Sequence, residues 1–276
     1  MKLDAHQHFW KYNESDYAWI SDELSVLKRN FLPDDLAEEL QKQGLDGCIA
    51  VQARQSVEET KWLLSLANAH DIIKGVVGWV DLRSATVLQD IKQLAQNPKL
   101  VGMRHVLQDE EDLSFILEPA FMNGIQALQD NGLTYDLLVF EHQLPMVSQL
   151  VKQFPDMKFV LDHIAKPKIK DKTLQPWKDH LLHLAQYKNV SCKLSGMLTE
   201  ADWNNWTITD FEPYLQQVFA CFGADRLMFG SDWPVCKLAG EYSDALNVVS
   251  QHLKKYSKTA QAKVMGINCE QFYLNK

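Results

Sequence analysis

Four side chains stand where they could bind a ligand or move a proton, each at the end of an apolar run. They are His6 and His8 in His6-Gln7-His8, His163 closing Phe159-Val160-Leu161-Asp162-His163, and Asp232 closing Leu227-Met228-Phe229-Gly230-Ser231-Asp232. Successive strand residues alternate faces, so His6 and His8 point to one side. Three neutral imidazoles and a carboxylate are ligands that suit zinc or a similar divalent ion and leave a position for water. Plainer roles stay open at this level. The histidine pair can be structural or surface residues, Asp162 can hold His163 in a structural network, and Asp232 can cap a helix ahead of Pro234.

Such groups converge only if their strands lie side by side, and the chain reads as parallel strands joined by helices. Eight short apolar runs recur: Lys2 to His8, Asp46 to Gln52, Ile73 to Val80, Leu100 to Val106, Thr134 to Val139, Lys158 to His163, Val190 to Ser195 and Arg226 to Asp232. Val76-Val77-Gly78-Trp79-Val80 is almost wholly apolar, as a strand covered on both faces should be. Pro33-Asp34-Asp35 opens a helix with a fixed φ and two carboxylates at its positive end. Ser56 and Glu59 have the spacing of a capping box. Further helices are predicted at 84–96, 118–131, 142–153, 175–187, 209–222 and 241–255, and a last one near 258–273 is expected against the barrel exterior.

Eight βα units predict one (β/α)8 TIM-type barrel domain over residues 1–276. A doubly wound sheet usually has fewer strands and a glycine-rich phosphate loop, and no G-x-G-x-x-G or P-loop pattern occurs. The long connections Trp10 to Leu32 and Ile164 to Leu174 follow strands, which puts them on the face where barrels build their sites. A net charge of −8 argues against a nucleic-acid surface. The run Lys166, Lys168, Lys170 and Lys172 is broken by Asp171 and reads as a solvated loop. Five scattered cysteines without a C-x-x-C pair indicate neither a disulfide framework nor a thiolate zinc site. With no membrane-length apolar stretch and no leader pattern, a cytoplasmic protein is expected.

The segments Asp4-Ala5-His6-Gln7-His8-Phe9-Trp10, Leu161-Asp162-His163-Ile164-Ala165-Lys166-Pro167 and Phe229-Gly230-Ser231-Asp232-Trp233-Pro234 together resemble the amidohydrolase superfamily. Within it they are similar to the branch of sugar-lactone and muconolactone hydrolases that includes the L-fuconolactonases and L-rhamnonolactonases. The resemblance covers nearly the whole chain, and D-H-x-x-K-P and G-S-D-W-P are more specific than H-x-H. It implies a distorted amidohydrolase barrel, His6, His8 and His163 grouped at its centre, and Asp232 as the acid/base residue. The chain departs from the best-known pattern, since Tyr135-Asp136-Leu137-Leu138-Val139 offers no histidine and Gly102-Met103-Arg104-His105 no lysine to bridge two metals. A binuclear site is therefore not expected. Members of the branch work with one metal or with none, so the resemblance leaves open both a single divalent ion, zinc first, and metal-free catalysis.

The expected reaction is hydrolysis of a small lactone, such as L-fucono- or L-rhamnonolactone, to its hydroxy acid. That chemistry needs an attacking water, a base, positive charge at the carbonyl oxygen and an acid for the departing alkoxide. Asp232 and His163 are the candidate catalytic residues, and His6, His8, His163 and Asp232 the candidate metal ligands. Candidate substrate contacts are Arg104, His105, Gln52, Trp10, Trp233 and Lys193. Strand alternation turns one of Arg104 and His105 towards the helices, and Arg104 is the one expected to face the site. A metal-dependent decarboxylase of the same superfamily, or a barrel that binds a ligand without turnover, are the rival functions. The first lacks an evident arginine cluster for an acidic substrate, and the second leaves all four polar residues unexplained.

Overall fold

The computed structural model describes residues 1–275. Eight strands form one parallel sheet in chain order: β1 Leu3–Gln7, β2 Gly47–Val51, β3 Ile73–Gly78, β4 Leu100–His105, β5 Thr134–Leu137, β6 Phe159–Leu161, β7 Val190–Leu194 and β8 Leu227–Phe229. The sheet curls into a nearly closed TIM-type barrel, with helices such as Pro33–Gln43, Val57–Ala69 and Ile208–Phe222 between its strands. The first and last strands meet through backbone bonds just beyond them. The Asp232 amide donates to the His6 carbonyl at 2.8 Å, and the His8 amide donates to the Trp233 carbonyl at 2.7 Å. The closing seam therefore runs through the residues singled out for chemistry.

Local sequence accounts for much of this frame. Pro33 begins its helix, and the Asp35 carboxylate accepts from the Leu32 amide at 2.9 Å. Ser56 Oγ caps the next helix by accepting from the Glu59 amide at 3.3 Å. Glu59 does not complete the capping box. Its buried carboxylate accepts instead from the Ala53 and Arg54 amides, at 3.0 and 2.8 Å, and so fixes the turn leaving β2.

Two strands end earlier than their apolar runs. β6 stops at Leu161 and β8 at Phe229, because His163 (φ 53°) and Asp232 (φ 57°) adopt left-handed backbone that cannot continue a parallel ladder. β1 carries a bulge in which Asp4 to Gln7 faces only Cys48 to Ala50 of β2. The extra residue re-aims the strand, so that Ala5 joins an apolar cluster with Ile49, Val51 and Val77 while His6 meets the polar groups above it.

The C-terminal segment also departs from expectation. It forms a short helix, Lys258–Ala262, and two wider helical turns over Lys263–Ile267 and Glu270–Leu274. These pack not on the barrel exterior but across the end where β1 begins, and Cys269 and Tyr273 enter the cluster of Leu3, Ala5 and Val160. Apolar side chains at the base of the barrel would face water without this plug, which favours it over an exterior position.

Candidate active site

At the opposite end of the barrel lies a cleft of about 570 Å³, lined by His8, His163, Asp232, Arg104, Lys166 and Trp19 among others. That volume suits a small molecule. β1 and its bulge bring in His6 and His8, the left-handed turn after β6 brings in His163, and the sharp turn after β8 brings in Asp232. The two imidazole Nε2 atoms of His6 and His8 are 3.2 Å apart. Asp232 Oδ1 lies 3.4 Å from His8 Nε2, 3.8 Å from His6 Nε2 and 3.9 Å from His163 Nε2.

Each imidazole is oriented from behind. His8 Nδ1 is 2.8 Å from the Val51 carbonyl, to which it donates, leaving its Nε2 lone pair free. His163 Nδ1 pairs with Ser195 Oγ at 2.9 Å. His6 Nδ1 faces Lys193 Nζ at 3.1 Å and Asp162 Oδ1 at 3.3 Å. Gly196 (φ 63°) permits the close approach of the β7 turn, since a Cβ there would sit 2.4 Å from His163 Nδ1.

These donors fit one small divalent ion. Tetrahedral coordination at about 2.0–2.1 Å spaces ligand atoms about 3.3 Å apart, close to the separations among His6, His8 and Asp232. Among the described residues His6 also stands with Asp162 and His163, so the four expected ligands fall into two overlapping sets sharing His6 rather than into one. Arg104 Nη1 also lies 3.2 Å from His6 Nε2 and competes for that lone pair.

Burial shapes the charges. It raises Asp232 on its own, but the imidazoles of His163, His8 and His6 outweigh it and hold the carboxyl well below the usual range. Burial pushes His163 down to about 4 and His6 well below an ordinary histidine, so both are neutral near pH 7. The site thus sets an ionised carboxylate against the neutral imidazoles of His6 and His163.

The remaining candidates divide. Arg104 lines the cleft, but its Nη atoms are committed to Asp162 (3.0 Å) and to the Gln52 carbonyl and Oε1 (2.5 and 2.9 Å). Gln52 lines the cleft and positions that guanidinium. Trp10 reaches the cleft wall with its indole N–H donating to the Arg29 carbonyl at 2.9 Å, which ties down the loop after β1. His105, expected as a contact, lies outside the cleft, where it stacks on Phe115 and pairs with Glu110 at 2.7 Å. Alternation along β4 sends it to the helices because Arg104 points inward. Trp233 packs against Phe31 and Phe9 outside the cleft lining. Lys193 is fully buried beneath His6, bonded to Asp136 at 2.5 Å and 3.0 Å from Asp162, too deep to touch a ligand.

Trp19, Gln108 and Lys166, none of them among the expected contacts, also stand on the cleft wall. Lys166 belongs to the basic run expected to form a solvated loop. Its place three residues after His163 in D-H-x-x-K-P was the available signal.

The chain matches the sequence model of the amidohydrolase family over residues 3–274. It is 40% identical to the L-fucono-1,5-lactonase of Burkholderia multivorans over 275 residues, covering 96% of this chain and 93% of the relative. It is 37% identical to the L-fucono-1,5-lactonase of Burkholderia ambifaria, covering 99% and 95%. A crystal structure of an amidohydrolase from Burkholderia multivorans with bound zinc superposes with a TM-score of 0.96 at 39% identity, covering 99% of each chain.

Proposed function

The chain belongs to the amidohydrolase family, and from that premise we propose that it hydrolyses a sugar lactone to the open-chain hydroxy acid, with L-fucono-1,5-lactone the first candidate substrate. The observation that carries this reading is the Asp232 carboxylate set 3.4–3.9 Å from the imidazoles of His8, His6 and His163 at the wall of a sugar-sized cleft.

Water attacks the lactone carbonyl carbon while Asp232 takes its proton. All three imidazole contacts of Asp232 are made by Oδ1, which leaves Oδ2 for that proton. As the tetrahedral adduct collapses, the bond from carbon to ring oxygen breaks and Asp232 returns the proton to the departing alkoxide. The product acid then ionises and releases one proton to solvent. Because Asp232 is a weak base, the water needs help to become nucleophilic. His6, His8 and Asp232, with His163 beside them, are the residues that would hold a divalent ion, zinc in the first instance, and when bound it would polarise the carbonyl or acidify the water. His163 remains at hydrogen-bond reach of whatever occupies the cleft, its orientation set by Ser195.

Acid release from L-fucono-, L-rhamnono- and D-galactonolactones, with spontaneous hydrolysis subtracted and each assay run with and without chelator, tests the reading. L-Fucono-1,5-lactone should be turned over fastest. Loss on chelation identifies the histidines as metal ligands, and retained activity shows that the site works without the ion, with His163 the imidazole free to donate from Nε2. No turnover of any lactone by folded, zinc-supplemented protein would refute the proposal.

A further inference from the structure

Among the described residues, the turn after β6 has the least ordinary backbone. His163, Ile164, Ala165 and Lys166 have φ of 53°, 49°, 62° and 48°, four consecutive side-chain-bearing residues in the left-handed region. For Ile164, a β-branched residue, this is a conformation that sterics strongly disfavour. It persists because the surroundings dictate it. Ile164 and Ala165 are fully buried, and the Trp177 indole N–H donates to the Ile164 carbonyl at 2.7 Å. Strain held in this way concentrates at functional sites. The turn closes with the Lys166 amide donating to the His163 carbonyl at 2.8 Å, and in a turn of three residues the first and fourth share a side. His163 and Lys166 therefore line the same cleft.

The other cations of the cleft are occupied. Arg104 is bound to Asp162 and Gln52, and Arg54 Nη2 pairs with Asp16 at 2.9 Å. Outside the cleft, Lys168 and Lys172 of the same loop pair with Glu141 and Asp210. Among the described residues, the half-buried Lys166 ammonium has no ion pair or hydrogen bond, only the Phe140 ring 5.5 Å away, while its field reaches His163 and Glu200.

We propose that Lys166 is a catalytic residue whose ammonium donates to the lactone carbonyl oxygen as it becomes an oxyanion, and afterwards holds the product carboxylate. This rests on the lactonase reading for its substrate. A flexible primary ammonium delivered beside His163 supplies charge where it develops, which a guanidinium already locked to Asp162 cannot do.

The test compares wild type with Lys166→Asn, which tolerates left-handed backbone, and with Lys166→Arg, which keeps the charge. Calorimetry with L-fuconate and the neutral L-fucitol reads the anion site without turnover. Wild type should bind the acid at least about tenfold more tightly than the alditol, and Lys166→Asn should bring that ratio near one and lower kcat about 10²–10³-fold. Lys166→Arg should retain most of the ratio, which a merely structural role would not predict. An Asn variant that keeps both the ratio and a near-wild-type kcat overturns the proposal. If wild type turns over no lactone, the lactonase reading fails alone, and loss or retention of the acid preference in the Asn variant still decides whether Lys166 holds an anion.

Discussion

Replacing Gly196 with alanine perturbs His163 without touching it chemically. Gly196 sits at φ 63°, and a Cβ there would lie 2.4 Å from His163 Nδ1, so the ring must retreat by about 1 Å to reach ordinary contact near 3.4 Å. Two costs follow: left-handed backbone for a residue with a Cβ, about 1–2 kcal/mol, and the hydrogen bond between His163 and Ser195, about 0.5–1.5 kcal/mol. The variant should lose about 2–3 kcal/mol, or several degrees of melting temperature for a chain of this length. A displacement of about 1 Å at a reacting group should lower turnover about 100-fold. Gly44→Ala is the control, since Gly44 has φ 67° with nothing within 4 Å of the added Cβ. It should lose stability by the backbone cost alone and keep full activity. Thermal melts and acid release on both variants separate the two effects. Wild-type turnover in Gly196→Ala would refute the account of how His163 is held.

Beneath the site, Lys193→Met would leave Asp136 and Asp162 buried without their shared cation. Denaturant unfolding should show a loss of about 3–5 kcal/mol, and near-normal stability would contradict the network described. Glu59 gives a pH signature. Burial raises its carboxyl to about 7 from 4.5 despite the Arg54 and Ala53 amides, so the folded protein keeps a proton that the unfolded chain releases. Stability attributable to Glu59 should fall as pH rises from about 4.5 to about 7, by as much as about 3 kcal/mol, and level off above. Glu59→Gln removes that titration, so the stability difference between variant and wild type should shift in favour of Gln across this window. A difference that stays flat from pH 4.5 to 8 would show that Glu59 is not perturbed.

Alternation of apolar runs with helical periods made the barrel legible, because parallel strands and their crossovers each impose a period on the chain. Residues at strand ends made much of the site legible. His6 and His8 share a face by alternation, although the bulge that aims His6 inward left no mark in the pattern. Backbone conformation was not legible. Nothing in His163-Ile164-Ala165-Lys166 announces four left-handed residues, so the strand seemed to run through His163 and Lys166 seemed to belong to solvent. Long-range pairing was equally hidden. Lys193 reads as a polar residue on the seventh strand, and only the fold shows Asp136, Asp162 and the Tyr273 hydroxyl sealing it below the site. His105 and Arg104 were separable only by which face of β4 looks inward. The helical period near 258–273 was legible, but a period does not say which surface a helix covers, and only the fold shows this segment plugging the barrel base.

The central claim is that Asp232 moves the proton in lactone hydrolysis, and Asp232→Asn tests it most directly. Asn accepts the φ of 57° at this position, so the fold should survive the change. With L-fucono-1,5-lactone at saturation, kcat should fall about 10²–10⁴-fold, while L-fuconate binding stays within a few-fold of wild type. Turnover near the wild-type rate in a folded Asp232→Asn protein would contradict the account.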